Sequence, residues 1–160
     1  MPRHPGKGGC RLDRKLRQFY MALFYVYLAV LLWVLFNRSR YEAGVPYLQQ
    51  VQRYLNLTPF KTIGLYWRLL TDPVRPVLTR LAVYNLLGNL LLFLPMGILI
   101  PVIFPRFRRF FRLLILAALL ISAAEILQVL MLAGSCDIDD LILNLLGAAL
   151  GYPLHRFLIS

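Results

Sequence analysis

Asp137-Ile138-Asp139-Asp140-Leu141-Ile142-Leu143-Asn144-Leu145-Leu146-Gly147-Ala148-Ala149-Leu150-Gly151 places carboxylates and an amide in an otherwise hydrocarbon-like segment. Counting from Asp137, the polar and small residues Asp140, Asn144, Gly147 and Gly151 recur at alternating intervals of three and four, which puts them on one face of a helix. Asp139 falls off that face. A helix that is apolar all round except for one stripe of acid, amide and glycine presents the stripe to protein and its back to lipid. The rest of the chain is read as partners for that stripe.

Of the 160 residues, 59% are hydrophobic and only 16% charged, against about 45 to 50% apolar in soluble domains. With a mean hydropathy of +0.65, the chain reads as a membrane protein. The net charge of +11 would suggest nucleic acid in a soluble protein. Here Lys and Arg flank long apolar runs, no nucleic-acid motif is present, and the charge speaks instead of topology and lipid headgroups. Cys10 and Cys136 are expected on opposite membrane faces, unpaired, and no metal-ligand spacing is found.

Upstream of the opening stretch the chain divides into a basic tail, residues 1–17, and a membrane domain, residues 18–160. Residues 18–36 form an apolar run long enough to span about 30 Å of hydrocarbon. It is longer than a signal-peptide core, and Asn37-Arg38-Ser39-Arg40 follows it in place of a small-residue cleavage site, so it reads as an uncleaved anchor. Three further spans are expected at 81–104, 113–133 and 140–159. The fold class is therefore all-α, a polytopic bundle of four transmembrane helices with an amphipathic, aromatic-rich connection between the first and second.

In that connection Val45, Leu48, Val51 and Leu55 are spaced for a short amphipathic helix, which Asn56-Leu57-Thr58-Pro59-Phe60 ends. Its tyrosines and tryptophan suit the membrane surface. Pro95 with Gly97 predicts a kink or break in the second span. The turn at 105–112 carries Arg106, Arg108, Arg109 and Arg112, a cytoplasmic marker. Together with the basic tail and Arg156 it places both termini in the cytoplasm.

At about 1.5 Å rise per residue, Asn85 and Asn89 lie roughly 6 and 12 Å below the start of the second span, and Gln128 and Glu125 roughly 8 and 12 Å below the end of the third. Asn144 lies about 6 Å inside the fourth span, with Asp137 and Asp140 at its mouth. All seven fall in one half of the bilayer, so three helices are expected to build one polar pocket open toward the long connection. A charge near a helix centre costs about 2.5 to 3.5 kcal/mol unless paired or hydrated. Glu125 has no Lys or Arg in its own or a neighbouring span. It must be protonated, hydrogen-bonded, hydrated, or met by a cation or cationic ligand group. The plainer alternatives are that Asn and Gln glue helices together, that Gly147 and Gly151 form a small-xxx-small packing stripe, and that Asp137 and Asp140 cap the fourth helix.

These residues carry a family resemblance. Asn56 to Phe60 in the long connection, Asn89, Phe93, Pro95 and Gly97 in the second span, Glu125 and Gln128 in the third, and Asp137, Asp140, Asn144, Gly147 and Gly151 together resemble the VanZ-like membrane proteins. The resemblance covers roughly residues 18–155. It implies a multi-pass protein of the bacterial plasma membrane, from a family named for a protein linked to resistance to the glycopeptide teicoplanin. It also implies an arginine in the turn before the Asp-rich stretch, and Gly134-Ser135-Cys136 has none.

The first functional reading is a cell-envelope protein whose pocket binds or shields a lipid-linked wall precursor or a lipoglycopeptide, with membrane lipids as its other partners and no cofactor. The second is an intramembrane enzyme acting on a lipid phosphate, with Glu125, Asp137 and Asp140 holding a divalent cation or serving as acid and base. It ranks lower because no His, Lys or Arg is expected in the pocket. The third is part of a proton or small-solute transporter, since intramembrane acids mark relays. Four spans without an internal repeat weigh against a complete one.

Overall fold

The computed structural model describes residues 13–70 and 76–158. The basic tail through residue 12, with His4 and Cys10, lies outside them, as do Arg75 and the last two residues. Four helices are long and apolar enough to cross a membrane: α1 (Arg14–Phe36), α4 (Pro76–Ile103), α5 (Phe110–Leu130) and the stretch Ile138–Leu158, which comprises α6 (Ile138–Gly151), a 3-10 turn and α7 (His155–Leu158). They meet the expected spans within a few residues at each end. α1 begins at Arg14, so the last basic residues of the tail belong to the helix.

α4 is the central post. Its closest companion is α6, and glycine makes the approach possible: a Cβ at Gly147 would collide with the Leu90 carbonyl oxygen, one at Gly151 with that of Leu94, and one at Gly97 with that of Ala148. The glycine stripe of α6 thus lies directly against the α4 backbone, and Gly97 serves this crossing. The expected break at Pro95 and Gly97 does not occur; α4 runs without interruption through Pro95 and Pro101. Packing against neighbouring helices lets a membrane helix carry proline without breaking. Nearby, the Tyr27 hydroxyl donates to the Leu92 carbonyl at 3.0 Å, and Arg108 Nε donates to that of Pro101 at 3.2 Å.

The apolar core lies toward the arginine-rich turn, where Phe93, Met96 and Ile100 of α4 meet Leu113, Ala117 and Ile121 of α5. α1 joins at its start through Tyr20, packed on Leu99, Val102 and Ile103. The end of α6 is sewn to the turn by the Tyr152 hydroxyl, which donates to the Arg108 carbonyl at 2.5 Å, and His155 is buried with its Nδ1 on the Tyr152 carbonyl.

The long connection is more ordered than an interfacial loop. It holds α2 (Tyr47–Arg53), α3 (Lys61–Leu70) and a two-residue strand β1 (Leu55–Asn56), which pairs in parallel with β2 (Cys136–Asp137), Leu55 opposite Cys136 and Asn56 opposite Asp137. The expected amphipathic helix is present but shorter, and its buried side chain is Gln50, while Leu48 points outward. The reason is local hydrogen bonding. Gln50 accepts the Glu42 N–H at 2.9 Å and donates to the Glu42 and Val45 carbonyls at 2.9 and 2.7 Å, filling the needs of a turn that has no helix of its own. Tyr47 to the Leu130 carbonyl (2.6 Å) and the Arg40 N–H to that of Leu132 (2.7 Å) fasten this segment to the end of α5.

Candidate binding site

At the entry to the fourth span, Asp137 is the N-cap of α6, its carboxylate accepting the Asp139 N–H at 2.9 Å. The other Asp137 oxygen accepts from Thr62 Oγ1 at 2.6 Å and Asn56 Nδ2 at 3.0 Å. Asp139 turns the opposite way and accepts the backbone N–H groups of Phe60, Thr62 and Ile63 at 2.6, 2.7 and 3.0 Å. These are donors that the start of α3 leaves without helical partners. Two aspartates of the last span thereby hold the first connection in place.

Behind this clamp lies a cavity of about 510 Å³. α4 gives it Asn85 and Asn89, α5 Glu125 and Gln128, and α6 Asp140 and Asn144. Six of the seven residues expected from the sequence therefore surround one space. Asp137 does not; its carboxylate is spent on the clamp. The cation site that Glu125, Asp137 and Asp140 would have formed is not assembled, and among the described residues no three of His, Cys, Asp and Glu converge on a metal-holding position.

The chemistry inside is uneven. Asn89 Nδ2 donates to Asp140 at 2.5 Å, and Gln128 Nε2 donates to the Leu35 carbonyl at 2.9 Å, closing α5 onto the end of α1. Glu125 and Asn144 are each only 5% exposed, and Glu125 Oε1 and Asn144 Oδ1 have no hydrogen-bond partner. A buried acceptor left open costs about 1 to 3 kcal/mol, more when charged. Both orphans line the cavity, so a group that enters it and donates would recover that cost.

Around the acids the electrostatics are consistent. Burial pushes the Tyr66 hydroxyl of α3 up from its ordinary value, and the Asp140 and Asp137 carboxylates add to the shift. Burial likewise raises the Cys136 thiol, helped by Glu125 and Asp137. Negative potential thus extends from the cavity into the turn at 134–136.

Two participants escaped the sequence reading. Arg38 and Arg40, directly after α1, line the cavity, which overturns the expectation that no arginine reaches it. Along the chain they are two of the basic residues of the long connection, and only the four-helix bundle brings that point beside the turn at 134–136. Their positive charge comes from the first connection where the resemblance would place it in the turn. The other is Asp139, off the polar face; its spacing carries no sign of the three backbone N–H groups it accepts.

A family model described as VanZ/LLP1 matches residues 24–159, which takes in every element that lines the cavity. The chain belongs to the VanZ/LLP1 family. It is similar to Protein VanZ of Enterococcus faecium, 28% identical over 133 residues that make up 83% of this chain and 71% of that protein. No solved structure matches the chain. As a VanZ/LLP1 protein with four apolar helices of spanning length, it is a multi-pass membrane protein.

Proposed function

We propose that this VanZ/LLP1 protein resides in the bacterial plasma membrane with both termini in the cytoplasm, and that its cavity opens outward to bind or shield a lipid-linked wall precursor or a lipoglycopeptide. Through this it would contribute to teicoplanin-type resistance. The observation that carries the reading is the pair of buried, unpartnered oxygens on Glu125 and Asn144 facing a cavity large enough for a headgroup. A protein built only for packing would close such a gap or replace the acid, because an intramembrane carboxylate with an open oxygen is costly. The similarity to Protein VanZ supports the link to the envelope.

The test is lipoglycopeptide susceptibility of cells expressing the wild-type chain, Glu125→Gln or Asp140→Asn at matched membrane levels. Loss of protection in both variants is expected. Wild-type protection in both would remove the proposal.

A second reading gains from Arg38 and Arg40, which could meet a phosphate in an enzyme acting on a lipid phosphate. Asp137 is unavailable to it. Turnover of polyprenyl phosphates by the purified protein with magnesium, abolished by Arg38→Gln, would favour this reading over simple binding.

A further inference from the structure

One flank of the cavity is not polar. Val34 of α1 and Tyr84 and Leu91 of α4 line it while facing outward, with Tyr84 73% and Leu91 58% exposed. Between them Gly88 has no atom within 4 Å of the place a Cβ would occupy. Further along, the same two helices close together, with Tyr20 on Leu99, Val102 and Ile103 and the Tyr27 hydroxyl on the Leu92 carbonyl. The far end of α1 is held by α5 instead, through Gln128. The pair α1 and α4 therefore forms a V whose open end leads from the acyl-chain region into the polar chamber.

The chamber is charged in two layers. Arg38 and Arg40 stand at its mouth, and neither forms an ion pair among the described residues. The Arg40 N–H is bonded to the Leu132 carbonyl, which sets the arginine backbone just past the end of α5 at Leu130, itself roughly 8 Å along the helix from Glu125 at 1.5 Å per residue. At the inner level the open Asn144 Oδ1 can only accept, and the open Glu125 Oε1 accepts when the acid is ionised. Guanidinium groups suit a phosphate, which they can hold through paired N–H donors. The inner acceptors call for a group with several donors and a positive charge, which a primary ammonium supplies.

We propose that the pocket takes the headgroup of a phosphate-linked membrane lipid bearing a primary ammonium, entering sideways between α1 and α4, with its phosphate at Arg38 and Arg40 and its ammonium on Glu125 and Asn144. This rests on the preceding reading only in taking the cavity as a binding site. The apolar flank makes the ligand a lipid, since a soluble zwitterion needs no opening into hydrocarbon.

The experiment is native mass spectrometry with thermal-shift measurement on the full chain in detergent. The probes are phosphatidylethanolamine, its N-acetylated form, phosphatidylglycerol, a polyprenyl phosphoethanolamine and soluble phosphoethanolamine. Retention and stabilisation by an amine-bearing lipid are expected, at least about tenfold stronger than by either amine-free lipid, the size of one lost charged hydrogen bond. Glu125→Gln and the double change Arg38→Gln with Arg40→Gln should each lose about tenfold. Gly88→Leu meets no neighbour at its Cβ and favours helix, so it should fold and yet block the lipid. Binding of only the polyprenyl probe supports the chemistry and assigns the carrier; binding of only phosphatidylethanolamine assigns the glycerolipid.

Equal binding of amine-free lipids overturns the ammonium assignment, and unchanged binding by folded Gly88→Leu, or soluble phosphoethanolamine binding as well as the lipids, overturns lateral entry. If these fail while susceptibility still depends on Glu125, only the ligand assignment falls. If lipid binding holds while susceptibility is unaffected, the resistance role falls alone.

Discussion

The carboxylate of Asp139 accepts the backbone N–H of Thr62 at 2.7 Å, so a residue of the last membrane span caps a helix of the first connection. The same side chain is wholly buried and also takes the Phe60 and Ile63 N–H groups. A cap normally comes from the residue just before a helix. Here Phe60 sits at that place with φ of 61° and no capping side chain, and tertiary structure supplies the acceptor.

Asp139→Ala should therefore be among the most damaging single substitutions. It strands three backbone donors, and losing charge-assisted bonds in a buried site costs on the order of 3 to 5 kcal/mol. Thermal unfolding in detergent should show a clearly lowered midpoint, and trypsin should cut faster at Lys61 and Arg68. Asp139→Asn, which keeps one acceptor oxygen, should fall between. A midpoint unchanged in Asp139→Ala would show that the clamp carries no stability.

Glycines that look alike in sequence should behave oppositely. Gly147→Ala drives a Cβ into the Leu90 carbonyl and should destabilise by about 1 to 3 kcal/mol as α4 and α6 are forced apart. Gly88→Ala enters open space and should be neutral or stabilising by up to about 1 kcal/mol, the helix preference of alanine over glycine. Paired unfolding curves decide the matter; equal effects would mean that the α4 and α6 crossing is looser than described.

Replacing Glu125 by glutamine should raise stability while weakening function. The acid has an open oxygen in a site only 5% exposed, and removing its charge should return on the order of 1 to 2 kcal/mol. A carboxylate serving only as structural glue would give the reverse, a lowered midpoint with function retained.

Cys136 reports on the field of the pocket from outside the spans. Burial and the Glu125 and Asp137 carboxylates raise its thiol, so at pH 8 it holds less of the reactive thiolate than an ordinary cysteine, whose pKa is about 8.5. In a Cys10→Ser background, maleimide labelling should be slow, with its rate rising at higher pH than for a free thiol. Glu125→Gln withdraws one negative charge, lowers the thiol pKa and should speed labelling. An unaltered pH profile in that variant would show that Glu125 exerts no charge at the turn.

The four helices were legible because twenty or so apolar residues in a row admit few alternatives. The pocket was legible for a related reason: within such runs each of Asn85, Asn89, Glu125, Gln128, Asp140 and Asn144 is conspicuous, and helical spacing fixes its side. The first connection was not. Its order comes from Asp137 and Asp139, Leu55 against Cys136, and Gln50 folded onto its own turn, and none of these pairings leaves a periodic trace. Periodicity marked an apolar side of α2 without saying what it meets: Leu48 faces outward, and the buried residue is the amide Gln50. Asp137 takes the capping alternative and leaves the lining one, because the two demand the same position on a helix and differ only in where the carboxylate turns.

The parallel pairing of Leu55 with Cys136 has a consequence in time. Phe60 leaves the ribosome 79 residues before Asp139, and at about 5 to 20 residues per second the connection waits roughly 4 to 16 seconds for its acceptor. During that interval α3 has no cap, and its final shape is deferred until the last hydrophobic segment has been delivered to the bilayer. Biogenesis of this chain should accordingly finish at the surface rather than in the lipid, with arrested chains that lack residues 138–158 inserted yet open to protease between 54 and 70.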